Sequence, residues 1–388
     1  MRALVGLATA LLCALALGVF AQAAGAPVIP IAGIAGGDVR VVATLRTADG
    51  GAILLARVAS SPGDAQGRVI VARLEADGSL DLAYGDAGLV TLPVGAGALP
   101  TALAVEPARG DAWIGLSTGH SGAGMIVALD THGRPASAFG AHGILTLAGG
   151  DAGGPLALDW RANRLLLAAG TSPCRGCRLS VRDAIRGTAL RTATLARGAL
   201  GPPGCSTAVG GAVFTAADRE TVTTDATGDG CASVILTLGP ALEPLGRGAA
   251  VAGARTSLAT AGGGSSWGCL ATAGPGGVRI SAYAGSRTSA PAAAPPGTVL
   301  ALAPIAEGAC AALIGERGGG IVAQMAAGDR RTLTDRVPAG VAPAALFRCH
   351  QHLLVVGTAG AAGHRSAVVL PVTVRRGAAS IAVSTGCR

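Results

Sequence analysis

The sequence predicts an all-β fold, a β-propeller of seven four-stranded blades, on three observations. Two stretches repeat one another: Ile70–Gly78 with Tyr84-Gly85 and Gly88–Leu92, and Met125–Gly133 with Phe139-Gly140 and Gly143–Leu147. Tyr84 and Phe139, Gly78 and Gly133, and Gly88 and Gly143 each stand 55 residues apart, so no insertion separates the copies. A fixed period of this size marks a repeat architecture. The 62 glycines and 21 prolines among 388 residues also demand many turns, against a helical bundle. Finally, half the residues are apolar while aromatics make up only 2%, so the core is built from Ala, Val, Leu and Gly. Alanine favours helix, yet here it lies in short runs with Val, Leu and Thr rather than at helical spacing.

Taken in order, the first unit reads as four strands. Val39–Leu45 and Ala52–Val58 flank a turn at Ala48-Asp49-Gly50, and Val69–Glu75 and Leu89–Pro93 follow. Asp77-Gly78 supplies the positive φ of a tight turn. Tyr84 and Phe139 lie in the connection to the last strand, where one ring can cover the end of a small-residue core, and Gly88 and Gly143 start that strand. Fainter copies follow. Leu165–Thr171 and Leu353–Thr358 match as second strands, and Leu179–Arg182, Ala232–Leu238, Val278–Tyr283, Ile321–Met325 and Ala367–Val374 read as third strands.

One third strand per unit gives blades near 38–98, 99–151, 152–205, 206–252, 253–298, 299–342 and 343–388. Blades of about 40–50 residues, each a four-stranded sheet, are what a propeller uses. A sheet with two apolar faces is stable only when neighbours cover both, which a ring provides. Closure falls to Val28–Ile31, within an extended segment 24–37, as a strand added to the last blade, or to a disulfide inside that blade. Pro291–Gly297 reads as an interblade loop. A β-helix or a pair of sandwiches is the architectural alternative.

Residues 1–23 read as a signal peptide: Arg2, an apolar run Ala3–Phe20, and Ala21-Gln22-Ala23 as the cleavage site. The run is long enough that an uncleaved anchor is the alternative. No later segment is long and apolar enough to span a membrane, so the mature chain is expected in a periplasm or outside the cell. There, the cysteines after Cys13 read as disulfide candidates: Cys174, Cys177, Cys205, Cys231, Cys269, Cys310, Cys349 and Cys387. Placement on the repeats suggests pairs 174–177, 205–231, 269–310 and 349–387.

The net charge of +8 does not indicate nucleic acid. All 30 basic residues are Arg, as a GC-rich coding sequence would produce, and they are scattered, with doublets only at Arg330-Arg331 and Arg375-Arg376. A nucleic-acid surface needs a basic stripe, preferably with stacking aromatics.

The segments Ala72-Arg73-Leu74, Asp77–Asp81, Tyr84-Gly85 and Gly88 resemble the bacterial delta-60 repeat. The second copy keeps Gly133, Phe139-Gly140 and Gly143 but has Ala136 in place of the acidic Asp81. The resemblance covers about residues 38–150 and is degenerate beyond. It implies an exported or surface propeller, and it brings no catalytic residues to carry over.

Four local patterns could carry chemistry. Cys174-Arg175-Gly176-Cys177 sits between strand-like runs, as a structural clip does, rather than opening a helix as a redox CxxC does. Asp225, Thr227 and Asp229, followed by Gly230, resemble the first half of a calcium loop, though Leu236 stands where a bidentate Glu belongs; an Asp-Gly hairpin turn is the other reading. His350 and His352 share one face of a strand, a metal-binding or merely capping pair. Gly115-Leu116-Ser117-Thr118-Gly119 matches a nucleophile elbow in letters only, since a strand follows it.

No cofactor is expected beyond Ca2+ at the Asp225 loop. The expected function is a non-enzymatic binding or scaffold module, monomeric, with a protein or glycan partner. The enzymatic alternative is a hydrolase or lyase whose carboxylates converge on the channel, with Glu75, Asp81, Asp86, Asp111 and Asp130 as the acids on offer.

Overall fold

The computed structural model describes most residues between 29 and 374; residues 1–28 and 375–388 lie outside it, as do segments such as 119–123, 148–154, 171–176, 196–204, 228–230, 246–248, 252–254 and 261–266. The expected leader and Cys387 therefore fall outside the described residues.

Seven antiparallel sheets form the propeller. Counted outward from the channel, blade 1 is Asp38–Arg46, Ala52–Ala59, Arg68–Leu74 and Leu89–Thr91. Blade 2 is Ala98–Val105, Ala112–Thr118, Gly124–Leu129 and Ile144–Thr146. Blade 3 is Pro155–Arg161, Arg164–Ala169, Cys177–Asp183 and Ala189–Leu195. Blade 4 is Ser206–Ala216, Arg219–Thr227, Ser233–Leu238 and Ala249–Val251. Blade 5 is Arg255–Thr260, Trp267–Gly274 and Gly277–Ala284, with Arg287–Thr288 and Ala292–Ala294 sharing its outer edge. Blade 6 is Thr298–Ala306, Ala309–Glu316, Gly319–Met325 and Thr332–Arg336.

Blade 7 has three strands from the chain's end, Val341–Cys349, His352–Ala359 and Ser366–Thr373, and takes its fourth from the beginning. Ile29 pairs with Val369 and Pro30 with Val368, so strand addition closes the ring. Pro291–Gly297 is more than the expected connection. Its Ala292–Ala294 pairs with Val278–Ile280, because the short hairpin strand Arg287–Thr288 leaves that stretch of the blade edge open.

The innermost strands share one irregularity. Their register shifts at Val41/Ala43, Pro100/Ala102, Pro155/Ala157, Val209/Gly211, Val299/Ala301 and Pro343/Ala345, in every blade but the fifth. A bulge bends an edge strand and raises its twist, and it accommodates proline, which here precedes three of the shifts. The residue completing each shift is Ala or Gly, and all six line the channel. Small side chains at this level let seven strands approach one axis.

Packing is between blades more than within them. Six apolar clusters each straddle one seam: blades 1 and 2, 2 and 3, 3 and 4, 5 and 6, 6 and 7, and 7 and 1. At the seam of blades 4 and 5 the described face of blade 4 is polar. Val222 packs toward blade 3, so strand alternation turns the buried Thr221 and Thr223 toward blade 5.

The repeat motif builds these seams. Phe139 is fully buried, worth about 2–3 kcal/mol of apolar transfer, in the cluster between blades 2 and 3. Its predecessor Tyr84 fills the seam between blades 1 and 2. The Gly85 N–H donates to the His132 carbonyl (2.9 Å), and the Gly140 N–H to Arg186 (3.1 Å), so each aromatic-Gly corner docks on the turn of the next blade. Gly133, at φ +76°, leaves room for that docking: a Cβ there would lie 2.6 Å from the Val90 side chain and 3.1 Å from the Tyr84 ring. The rings thus fill blade–blade joints rather than merely covering a blade's end.

Blade 4 contains a third copy of the turn that its letters conceal. Leu238 bridges Pro244 as Leu129 bridges Pro135 and Leu74 bridges Leu80. The hydrogen bonds Gly239 N to Glu243 O, Leu242 N to Gly239 O and Leu245 N to Thr237 O repeat those of Asp130, Gly133 and Ala136. Leu242 occupies the glycine position at φ +63° and is buried between blades 3 and 4. Left-handed backbone costs a non-glycine residue about 1–2 kcal/mol, which burial of a leucine offsets.

Candidate functional site

Each blade is an up-and-down meander, so the connections from first to second strand and from third to fourth strand emerge on one end of the ring. Hydrogen bonds between the connections of blades 1 and 2, Ala48 N to Pro107 O and Gly85 N to His132 O, bind that end into one surface, the turn face.

Charged networks hold it. Arg73 reaches Asp49 (2.7 Å), Asp81 (3.3 Å) and, through Nη1, the Thr131 carbonyl of blade 2 (3.2 Å). Burial raises the Asp49 pKa, but the Thr47 hydroxyl, the Arg73 guanidinium and the Gly51 N–H outweigh it and hold the carboxyl below the usual range. Asp81 stands on the turn as the partner of Arg73. In the second copy Arg73 becomes Ala128 and Asp81 becomes Ala136, while the backbone bond beneath, Ala136 N to Ala128 O at 2.9 Å, is the same as in the first. The two partners are lost together.

Arg109 in turn bridges Glu106 (2.7 Å) and Asp111 (2.5 Å). Asp111 is raised by burial, against the pull of Arg109, with Glu106 and Asp130 adding like charge. Three large aliphatic side chains stand out from this polar frame on third-to-fourth-strand connections: Leu82 (72% exposed), Ile185 (52%) and Leu245 (48%).

The channel is a cavity of about 510 Å³ walled by the innermost strands. None of Glu75, Asp81, Asp86, Asp111 and Asp130 lines it; Asp159, Arg46 and Arg348 do. Asp159 was missed in the sequence, although an acid within the apolar run Leu156-Ala157-Leu158-Asp159-Trp160 of a strand is an available signal. Its Oδ1 accepts from the Trp160 N–H (3.0 Å) and its Oδ2 from the Phe214 N–H of blade 4 (2.7 Å), so it ties blade 3 to blade 4. Burial raises its pKa to about 7 against these two bonds and the nearby Arg161. Arg191 makes a second tie across the same seam, to the fully buried Glu220 (2.7 Å) and to the Pro240 carbonyl.

The other expected groups are dispersed. Asp225 and Thr227 lie on strand Arg219–Thr227, opposite Ala208 and Ser206, and Asp229 is outside the described residues. Among the described residues no three His, Cys, Asp or Glu side chains are grouped to hold a metal. His352 opens a strand opposite Cys349, and His350 lies outside the described residues. Ser117 sits within strand Ala112–Thr118, between Leu99 and Gly124, and the next described element is the strand Gly124–Leu129.

Cys205 is bonded to Cys231, with Cα atoms 5.8 Å apart, tying the starts of the first and third strands of blade 4. Cys269 is bonded to Cys310, joining the second strands of blades 5 and 6 inside their shared cluster. Cys177 is also disulfide-bonded; Cys174 and the expected 349–387 pair lie outside the described side chains. No helix among the described residues is long and apolar enough to cross a membrane.

No protein-family model and no curated protein sequence matches the chain. Solved structures do. The WD40 domain of coronin from Toxoplasma gondii superposes with TM-score 0.57 at 11% identity, covering 91% of this chain and 89% of that one. The β-propeller domain of Cps50 (Swd1) from Myceliophteria thermophila gives 0.54 at 11%, covering 87% and 100%. The propeller of the trilobed protease from Pyrococcus furiosus gives 0.51 at 9%, covering 86% and 93%, and is described as having an open velcro topology, whereas here Ile29–Pro30 closes the ring. At these identities the likeness is one of fold, and the chain is similar to propellers across that whole architecture.

Proposed function

We propose that this chain is an exported β-propeller that binds a protein partner through its turn face and performs no chemistry there. The observation that carries the reading is the set Leu82, Ile185 and Leu245, three exposed aliphatic anchors on a surface whose ion pairs hold it rigid. Isolated exposed leucines are ordinary, but large aliphatic groups on one end of a ring, framed by charge, have the anatomy of a contact surface. The WD40 domain of coronin supplies analogy only.

Export is supported by the leader-like residues 1–23 and by disulfides such as Cys205–Cys231 and Cys269–Cys310, since such bonds persist in oxidising compartments. The enzymatic alternative draws no support from the channel. Among the described residues its lining holds one carboxylate, Asp159, whose two oxygens are both engaged by backbone N–H groups, and no histidine.

The test is the variant Leu82→Asp/Ile185→Asp/Leu245→Asp, compared with the wild type by crosslinking in intact cells that export the protein. The wild type is expected to give a discrete crosslinked species that the variant loses at least tenfold. An equal yield from both proteins, or none from either, overturns the turn-face reading. Counting free thiols on the exported chain tests its compartment: eight free thiols would remove the disulfide support for export.

A further inference from the structure

The outer rim of blades 5 and 6 carries charge that the turn-face anchors leave unexplained. Between Glu243 and Glu307 the sequence holds no acid, while Arg247, Arg255, Arg279 and Arg287 fall in that stretch. One of these arginines meets the Arg330-Arg331 doublet in space. Ala292–Ala294, paired with Val278–Ile280 of blade 5, also touches blade 6 just before its strand Thr332–Arg336. Ala293 bridges Arg331 in parallel, its N–H donates to the Arg330 carbonyl (3.2 Å), and its carbonyl accepts from the Thr332 hydroxyl (2.9 Å). Residues paired across strands project to one face, so Arg279 and Arg331 stand on either side of Ala293. With neighbouring strands about 4.8 Å apart, their Cα atoms lie about 10 Å from one another.

Arg279, Arg330 and Arg331 are all exposed. Other arginines of this chain are matched: Arg73 by Asp49 and Asp81, Arg109 by Glu106 and Asp111, Arg191 by Glu220, and Arg365 by Asp38. Among the described residues none of the three rim guanidinium groups has a hydrogen bond or an ion pair. The acid on the adjoining strand, Asp335, stands four residues beyond Arg331 and accepts from Gln324 Nε2 (3.2 Å). Asp329 lies outside the described residues. Backbone pairing thus holds like charges together, and an anion laid across them relieves their repulsion.

We propose that this rim binds an acidic, extended segment of a protein partner, with carboxylates on Arg279 and Arg331 and Arg330 as a third contact. Guanidinium groups take carboxylates in a paired, directional fork. A chain in polyproline geometry returns to the same face every third residue, about 9 Å further on, so acids three residues apart reach both arginines. Among the described residues the exposed large apolar side chains are all Leu or Ile, so no aromatic ring is offered for a base or sugar to stack on. Three basic side chains also fall short of the about four to eight that read as a site for anionic lipid.

The experiment is fluorescence-anisotropy titration of the whole chain with a labelled Glu-Pro-Ser repeat peptide, with the neutral Gln-Pro-Ser repeat as comparison. The acidic peptide is expected to bind saturably, at least tenfold tighter than the neutral one, and to weaken as salt rises. Arg279→Gln/Arg330→Gln/Arg331→Gln is expected to lose at least tenfold. The charge-matched variant Arg40→Gln/Arg68→Gln/Arg317→Gln, also at exposed positions, should lose less than about twofold, which separates the rim from attraction by net charge. No saturable binding by the wild type, equal binding of the two peptides, or equal losses in the two variants overturns the proposal. So does tighter binding to phosphatidylglycerol vesicles or to a sulfated polysaccharide, which would assign the rim to that surface instead. The peptide comparison is read on wild-type protein, so it does not depend on any variant folding. It needs no turn-face partner either, so this reading and the turn-face reading fail separately.

Discussion

Blades 1 and 2 and blades 4 to 6 solve one problem, joining neighbouring sheets, with different chemistry. In the first region a glycine with positive φ receives the aromatic corner of the preceding blade, as Gly133 receives Tyr84. In the second, Leu242 fills the corresponding turn position, and covalent bonds appear: Cys205–Cys231 within blade 4 and Cys269–Cys310 between blades 5 and 6. These bonds flank the seam where the described face of blade 4 is threonine-rich rather than apolar. The difference teaches that the ring specifies a joint geometry, not a joint composition. Beside the described threonine-lined face of blade 4, crosslinks that restrict the unfolded chain add to the hold of the ring.

The strongest way to break this comparison is to remove the interblade crosslink. Cys269→Ala/Cys310→Ala opens a loop spanning a sequence separation of 41 and is expected to cost about 4 kcal/mol by chain-entropy reasoning. Urea unfolding followed in parallel with the wild type measures it; a loss below about 1 kcal/mol would show that blades 5 and 6 hold together without the bond. On the other side, Gly133→Ala adds a Cβ against Val90 and imposes left-handed backbone on alanine, for a combined cost of about 3 kcal/mol. A change near zero would mean that the turn shifts freely and that the seam tolerates it.

The boundary between the two regions, blade 3 against blade 4, is expected to respond to pH through Asp159. Its folded pKa, about 7, lies above the ordinary carboxylate value near 4, so the native state binds more protons than the unfolded chain between those limits. Stability from this group is therefore fully present below about pH 4 and is lost as pH rises through 7. Melting temperature should rise on acidification from pH 8 to pH 5, and Asp159→Asn should flatten that slope. An unchanged slope would exclude Asp159 as its source.

Smaller effects separate the two repeat copies. A double-mutant cycle on Arg73→Ala and Asp81→Ala should give a coupling of about 0.5–1 kcal/mol for this part-exposed pair. Grafting Arg and Asp at Ala128 and Ala136 together should be tolerated better than either alone. Smallest of all, Tyr84→Phe should change stability by less than about 0.5 kcal/mol, because the Tyr84 hydroxyl is buried with no hydrogen-bond partner and the second copy already carries Phe139. A large loss would reveal a polar contact at that seam.

The legible parts of the fold were those written locally. Asp-Gly turns, the aromatic-Gly corners and the glycines before each fourth strand are held by hydrogen bonds between residues about four apart, so their letters recur wherever the geometry recurs. The copy in blade 4 escaped because burial between blades 3 and 4 replaced glycine with Leu242, removing the letter while keeping the shape. The candidate sites were less legible for a related reason. Glu75, Asp81 and Asp130 attracted attention as acids on turns, yet turn acids face the end of the ring, whereas channel residues lie inside strands and look like core.

By itself the sequence determined the period, the antiparallel strands, the turn chemistry and the supply of cysteines, since each depends on side chains near one another in the chain. Only the tertiary structure decided which ends of the blades form one surface, that Asp159 reaches across to Phe214, and that Ile29 pairs with Val369. Those residues stand tens to hundreds of positions apart, and nothing local relates them. Closing the ring in this way brings blades 1 and 7 together around one apolar cluster.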